Sequence, residues 1–86
     1  MSEMVGKYCA KFFGKTGVIL EIGVVKKVAS RTIHVDWGTK TWVYQNRDFN
    51  WTPLTKEEFE VKYKKPKFSD AALIRAAELG LKITYN

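Results

Sequence analysis

The stretch Thr32–Asn50, TIHVDWGTKTWVYQNRDFN, decides how the rest of the chain is read. Ile33, Val35 and Trp37 alternate with His34 and Asp36, the period of two of a half-buried strand. Gly38-Thr39 punctuates the run, and a glycine at the first central position suits a type II′ hairpin turn. Thr41 to Tyr44 returns as a second strand rich in β-branched and aromatic residues. The turn sets the register. A two-residue loop pairs Trp37 with Lys40, Val35 with Trp42 and Ile33 with Tyr44, and gathers five apolar side chains on one face. A loop one residue longer would move Trp42 and Tyr44 to the opposite face. The two-residue loop is preferred because it gathers the apolar groups.

Upstream, Tyr8, Cys9, Phe12 and Phe13 mark a first strand, and Gly14 and Gly17 bracket a turn. Lys15-Thr16 lacks the spacing of a phosphate-cradling loop. Val18 to Val28 is a long β-rich run broken by Gly23, which predicts a bulge or a bend there. Downstream, 45–50 is polar and reads as a loop or a single 3₁₀ turn. Trp51 to Leu54 reads as a short closing strand, kept to an edge by Pro53. These segments predict five short strands, the pattern of a small barrel.

Beyond Leu54 the pattern turns helical. Thr55-Lys-Glu-Glu58 is a capping box, with Leu54 and Phe59 at the positions of a hydrophobic staple, and it starts a helix running to about Lys64. Pro66 ends that helix. Ser69 caps a second helix from Asp70 to about Leu79, and Gly80 stops it in the left-handed conformation. That helix is predicted to pack on the barrel or on a protein, and no partner helix follows to make a helix-turn-helix. Leu81 to Tyr85 alternates and predicts a last strand. The expected fold class is α+β: a five-stranded barrel over 7–54, then a helical extension over 55–86, all within one domain.

The bulk numbers set bounds on function. The 86 residues suffice for one small core, and 45% hydrophobic content argues against global disorder. No apolar run has the length of a transmembrane helix, and Met1 to Lys15 lacks a signal-peptide layout. One cysteine excludes an internal disulfide, so a reducing, cytoplasmic setting is expected. Fifteen Lys and Arg against nine acidic residues give a net charge of +6, which points to a polyanionic partner, RNA ahead of DNA, and to no membrane.

Two basic groups are the candidate nucleic-acid contacts. Lys62, Lys64, Lys65 and Lys67 flank Tyr63; lysines would meet phosphates while Tyr63 or Phe68 stacks a base. The plainer reading is a solvated helix end, where lysines suit the helix dipole. Lys26, Lys27 and Arg31 flank the turn before the hairpin, with Lys40 and Arg47 placed on the same rim; ordinary loop charge is the plain alternative. His34 lacks the positioned partner that acid–base catalysis needs, and Cys9 reads as a small core hydrophobe. One Cys and one His cannot supply a four-ligand zinc site, and no motif asks for a cofactor. The three tryptophans read as core before cage.

The segments GKTGVILEI and IHVDWGTKTWVYQNRDF resemble the small SH3-like barrels of KOW and Tudor type, through Gly14, Gly17, Val18, Val35, Trp37, Gly38, Trp42, Tyr44 and Asp48. The resemblance implies binding of RNA, DNA or protein tails rather than catalysis. The compact layout is also similar to small accessory proteins that bacterial viruses encode against host enzymes. That second likeness implies an inhibitor of a host enzyme such as a toxin endoribonuclease, acting in the host cytoplasm, alone or together with RNA.

Overall fold

A computed structural model describes residues 3–63 and 67–83. Four strands form one antiparallel sheet in the order β1-β2-β3-β4: β1 (Tyr8–Phe12), β2 (Ile19–Val28), β3 (Thr32–Asp36) and β4 (Thr41–Gln45). A 3₁₀ turn at Asn46–Asp48 and two helices, α1 (Lys56–Lys62) and α2 (Asp70–Glu78), follow. The class is therefore α+β, as expected, but the sheet is open. The expected fifth strand shrinks to one antiparallel bridge between Leu54 and Tyr8, in which each N–H donates to the other's carbonyl at 2.8 and 2.9 Å. Pro53 lacks an N–H, which leaves Leu54 as the residue able to pair. Leu81 to Ile83 is not strand, and Thr84 and Tyr85 lie outside the described residues.

The hairpin takes the two-residue register. Val35 pairs with Trp42 and Ile33 with Tyr44, and the Trp37 N–H donates to the Lys40 carbonyl at 2.8 Å. Gly38 has φ +97°, which a type II′ turn requires and a side chain resists, and its N–H donates to Asp36 Oδ1 at 2.8 Å.

The sheet is buried on both faces where β1, β2 and β3 meet. Ile19 and Ile22 join Ala10 beneath the helices, around Phe59, Phe68, Ala72, Ala76 and Leu81. On the opposite face Cys9, Val25, Ile33, Val35 and Trp37 form a second cluster, covered by Met4, Phe49 and Trp51. Two-sided burial explains why the β2 sequence reads as a nearly continuous apolar run. Register shifts fall at Leu20 and Lys26, on either side of Gly23. Gly23 itself meets a different need: a Cβ there would stand 2.6 Å from Val35 Cγ1 and 2.8 Å from the Trp37 ring. Glycine permits that close approach.

Both helices start as the sequence predicts. The Glu58 N–H donates to Thr55 Oγ1 at 3.1 Å and the Thr55 N–H donates to Glu58 Oε1 at 2.8 Å, a complete capping box. The Thr55 amide holds the Glu58 carboxyl below its ordinary range. Ser69 Oγ accepts from the Ala72 N–H at 3.1 Å. The Ile19 N–H donates to the Lys67 carbonyl and the Ser69 N–H to the Ile19 carbonyl, which lays 67–69 along the start of β2 and sets α2 over the sheet. Gly80 at φ +74° closes α2, with the Leu81 N–H donating to Ala76 and the Gly80 N–H to Ala77, a Schellman motif. Among the described residues, no helix is long and apolar enough to cross a membrane.

Candidate nucleic-acid interface

Among the hollows on the surface, one of about 300 Å³ lies between α2 and the β3–β4 turn. Its cation, Arg75, is already engaged: Nε donates to the Ile22 carbonyl at 3.3 Å and Nη2 to the Asp36 carbonyl at 3.1 Å. Glu21 and Glu78 also line it, so an incoming phosphate would meet carboxylates.

The second hollow, about 250 Å³, is of a different character. Phe12, Trp51 and Tyr63 wall it, with Asn50, Thr52 and Lys62 at its rim and no carboxylate in its lining. Each wall residue is there for a local reason. Phe12 and Phe13 are adjacent in the chain at the end of β1, so they cannot both point into the core. Phe12 is 42% and Phe13 60% exposed. Tyr63 caps the C-terminus of α1 and packs its ring edge-on to Phe12 at 5.9 Å and to Phe59 at 4.8 Å. Burial raises the Tyr63 hydroxyl pKa, so it stays a protonated donor at neutral pH. Lys62, the last residue of α1, holds its Nζ 5.6 Å from the Tyr63 ring centre. The volume sits below the roughly 300–1,000 Å³ of drug-sized pockets, a fit for one planar ring system rather than a large ligand.

The third hollow, also about 250 Å³, is lined by Arg31, Gln45, Asn46 and Arg47. The 3₁₀ turn places it: the Asn46 N–H donates to the Arg31 carbonyl at 3.0 Å, and Asn46 Nδ2 donates to the Ser30 carbonyl at 3.1 Å. Two arginines and two amide residues line it without a carboxylate, residue types whose side chains suit a phosphate.

The two basic groups read from the sequence are thus partly assembled. Arg31 and Arg47 come together. Lys40 precedes β4 while Arg47 follows it, so the strand separates two residues expected on one rim. Lys26 is exposed at a bulge of β2, and Lys27 is exposed opposite His34. Lys62 and Tyr63 share the aromatic hollow, and Lys67 is exposed beside Gly17. Lys64 and Lys65 lie outside the described residues. Among the described residues the ion pairs are Lys11–Glu21 at 3.7 Å and Arg75–Asp36 at 3.7 Å, so neither takes in Lys26, Lys27, Arg31, Lys40, Arg47, Lys62 or Lys67.

A run of rings links the aromatic hollow to β4. Trp51 meets Phe49 at 5.4 Å and Tyr44 at 5.1 Å, and Tyr44 meets Trp42 at 6.4 Å. Trp37 is buried against Trp51 and donates through Nε1 to the Tyr44 hydroxyl at 2.9 Å. Trp42, although in the inward register, is 51% exposed, because Phe49 and Trp51 cover the sheet only as far as Tyr44. Lys40 Nζ lies 5.4 Å from the Trp42 ring centre. The tryptophans therefore divide into one core residue, Trp37, one half-covered, Trp51, and one exposed, Trp42.

His34 is half-buried beside Thr32, with Nε2 3.4 Å from Thr32 Oγ1. Burial pushes the Cys9 thiol up to about 12, so it is uncharged and a poor nucleophile at neutral pH. Sequence reasoning passed over Phe12, Asn50 and Thr52 as site residues, and it read Trp51 as part of a strand. The Phe12-Phe13 doublet was the available signal.

No known protein family, curated protein or solved structure matches this chain.

Proposed function

We propose that the protein binds single-stranded nucleic acid, RNA ahead of DNA, without catalysing a reaction. One observation carries the reading: three partly exposed aromatic rings face one small hollow with a lysine at its rim and no acid in its lining. Stacking on such rings tolerates any base, and lysines neutralise phosphates without reading sequence. Specificity is therefore low. The Arg31–Arg47 hollow supplies a second phosphate seat, and RNA is favoured because its loops already splay bases outward. The reading keeps the likeness to SH3-like barrels as part of the proposal, with the Leu54–Tyr8 bridge as the place where such a barrel would close. It also keeps the action in the cytoplasm. The alternative, an inhibitor of a host enzyme such as a toxin endoribonuclease, draws support from the uncovered β4, where Trp42 and Val43 are each about half exposed.

The test is a titration of uridine-rich and adenosine-rich oligoribonucleotides, followed by tryptophan fluorescence, on the wild type and on Phe12→Ala. Stacking contributes about 1–3 kcal/mol per base, so Phe12→Ala should weaken binding by roughly 5- to 150-fold. Lys62→Glu should weaken it further at low salt than at high salt. Unchanged affinity in both variants removes the aromatic hollow from the interface.

A further inference from the structure

The outer edge of β4 is uncovered. Among the described residues no strand or bridge pairs with it, whereas the outer edge of β1 is met by Leu54. Which backbone groups it offers follows from the ladder. The Trp37 N–H donates to Lys40 and the Asn46 N–H to Arg31, so Trp37–Lys40 and Arg31–Asn46 are hydrogen-bonded pairs. Antiparallel pairs alternate, which makes Val35–Trp42 and Ile33–Tyr44 bonded pairs as well. Thr41, Val43 and Gln45 must then turn their N–H and C=O groups away from β3. All three residues are exposed.

Edges of this kind are ordinarily blunted by a charge, a proline or a bulge. β4 reads TWVYQ, with none of the three, and it pairs with β3 in regular register throughout. Its side chains are half exposed on both faces, Trp42 at 51% on one and Val43 at 50% on the other. Cations stand at both ends: Lys40 before the strand, and Arg47 with Arg31 after it.

We propose that this edge takes an extended segment of a partner protein as a fifth strand, apolar at its centre and acidic at both ends. The chemistry separates this occupant from the alternatives. The edge presents donors and acceptors in alternation, and a peptide backbone matches both, whereas a nucleic-acid backbone offers phosphates that only accept. A second copy of this chain would match the backbone pattern too. Paired antiparallel about Val43, however, it would bring Lys40 of each copy toward Arg31 and Arg47 of the other. Like charges placed opposite destabilise such a ribbon, while carboxylates at the same places favour it. The edge is distinct from the aromatic hollow but shares Arg31 and Arg47 with the second phosphate seat, so its test is read on the backbone amides of β4 with a peptide and not on nucleic-acid affinity.

The experiment is residue-resolved amide exchange on the intact chain, with a synthetic peptide of alternating valine and threonine ended on each side by glutamates. Exchange at Thr41, Val43 and Gln45 should slow at least tenfold, with smaller changes at Trp42 and Tyr44, whose amides already face β3. A lysine-ended peptide should protect them at least tenfold less. Val43→Pro removes only an outward N–H, a place where edge strands accept proline. It should abolish the protection while the thermal unfolding midpoint stays within a few degrees of wild type. If that variant unfolds, the comparison of the two peptides on the wild type decides. Equal protection by both peptides, or none by either, overturns the proposal. So does protection that rises with protein concentration without peptide, which would assign the edge to a second copy. Protection by an oligoribonucleotide instead of the peptide would likewise assign it to nucleic acid.

Discussion

Phe59→Ala should lower the stability of the protein by about 3–5 kcal/mol, the usual cost of deleting a phenyl ring from a packed core. Phe59 is fully buried and, among the described residues, is the largest of the fully buried side chains. Its ring lies 6.1 Å from Tyr8 on β1, 6.5 Å from Phe68 before α2 and 4.8 Å from Tyr63 at the end of its own helix. One side chain thus joins the sheet edge, both helices and the wall of the aromatic hollow. Few small domains hold more than 5–15 kcal/mol in reserve, so the variant should be close to unfolding at ambient temperature. Circular dichroism should show the midpoint falling by at least about 12 °C, taking roughly 4 °C per kcal/mol for a chain of this size. Val61→Ala on the same helix is the contrast: that side chain is 72% exposed, and its loss should stay within about 0.5 kcal/mol. Equal effects from the two changes would mean that α1 does not pack through Phe59.

The second large effect is expected from Arg75→Met, which keeps most of the aliphatic stem and removes the guanidinium. Arg75 sits on α2 and reaches across to the Ile22 and Asp36 carbonyls, with the Asp36 carboxylate 3.7 Å away. Its side chain is only 17% exposed. Hydrogen bonds from a charged donor contribute about 1.5–3 kcal/mol, more than neutral ones, and the two carbonyls lose that donor together. A loss of about 2 kcal/mol in urea unfolding is the expected result, with faster amide exchange along α2. A change below about 0.5 kcal/mol would mean that the helix is held by its apolar face alone. Arg75 also lies 3.1 Å from where a Cβ on Gly38 would stand, so the hairpin turn and the helix constrain each other.

Local signals carried much of this fold. The alternation in Ile33, Val35 and Trp37, the glycine of the β3–β4 turn and the capping box at Thr55 are each read within a few residues, and each is found in place. What failed depended on distant partners. Trp51 to Leu54 has strand-like residues, yet its neighbours on β1 allow one bridge, and Trp51 is drawn instead onto Trp37 and Tyr44. Gly23 has the look of a bulge, but its cause is the Trp37 ring fourteen residues on, which no local pattern reveals. The candidate site was half legible. Lys62 and Tyr63 stood out by charge and ring, whereas Phe12, Asn50 and Thr52 come from segments that only the fold brings beside α1. Arg75, set among alanines, showed no sign in sequence of the two carbonyls it reaches.

The most direct test of nucleic-acid binding by this surface is the affinity of the wild type for a single-stranded oligoribonucleotide across a series of salt concentrations. If Lys62, Lys67, Arg31 and Arg47 each neutralise one phosphate, the logarithm of affinity should fall against that of salt with a slope of about −3, at ~0.7 per contact. Trp51 fluorescence should change in step as a base enters beside Phe12 and Tyr63. Binding that ignores salt, or none at all in dilute buffer, would contradict the role assigned to these cations and rings.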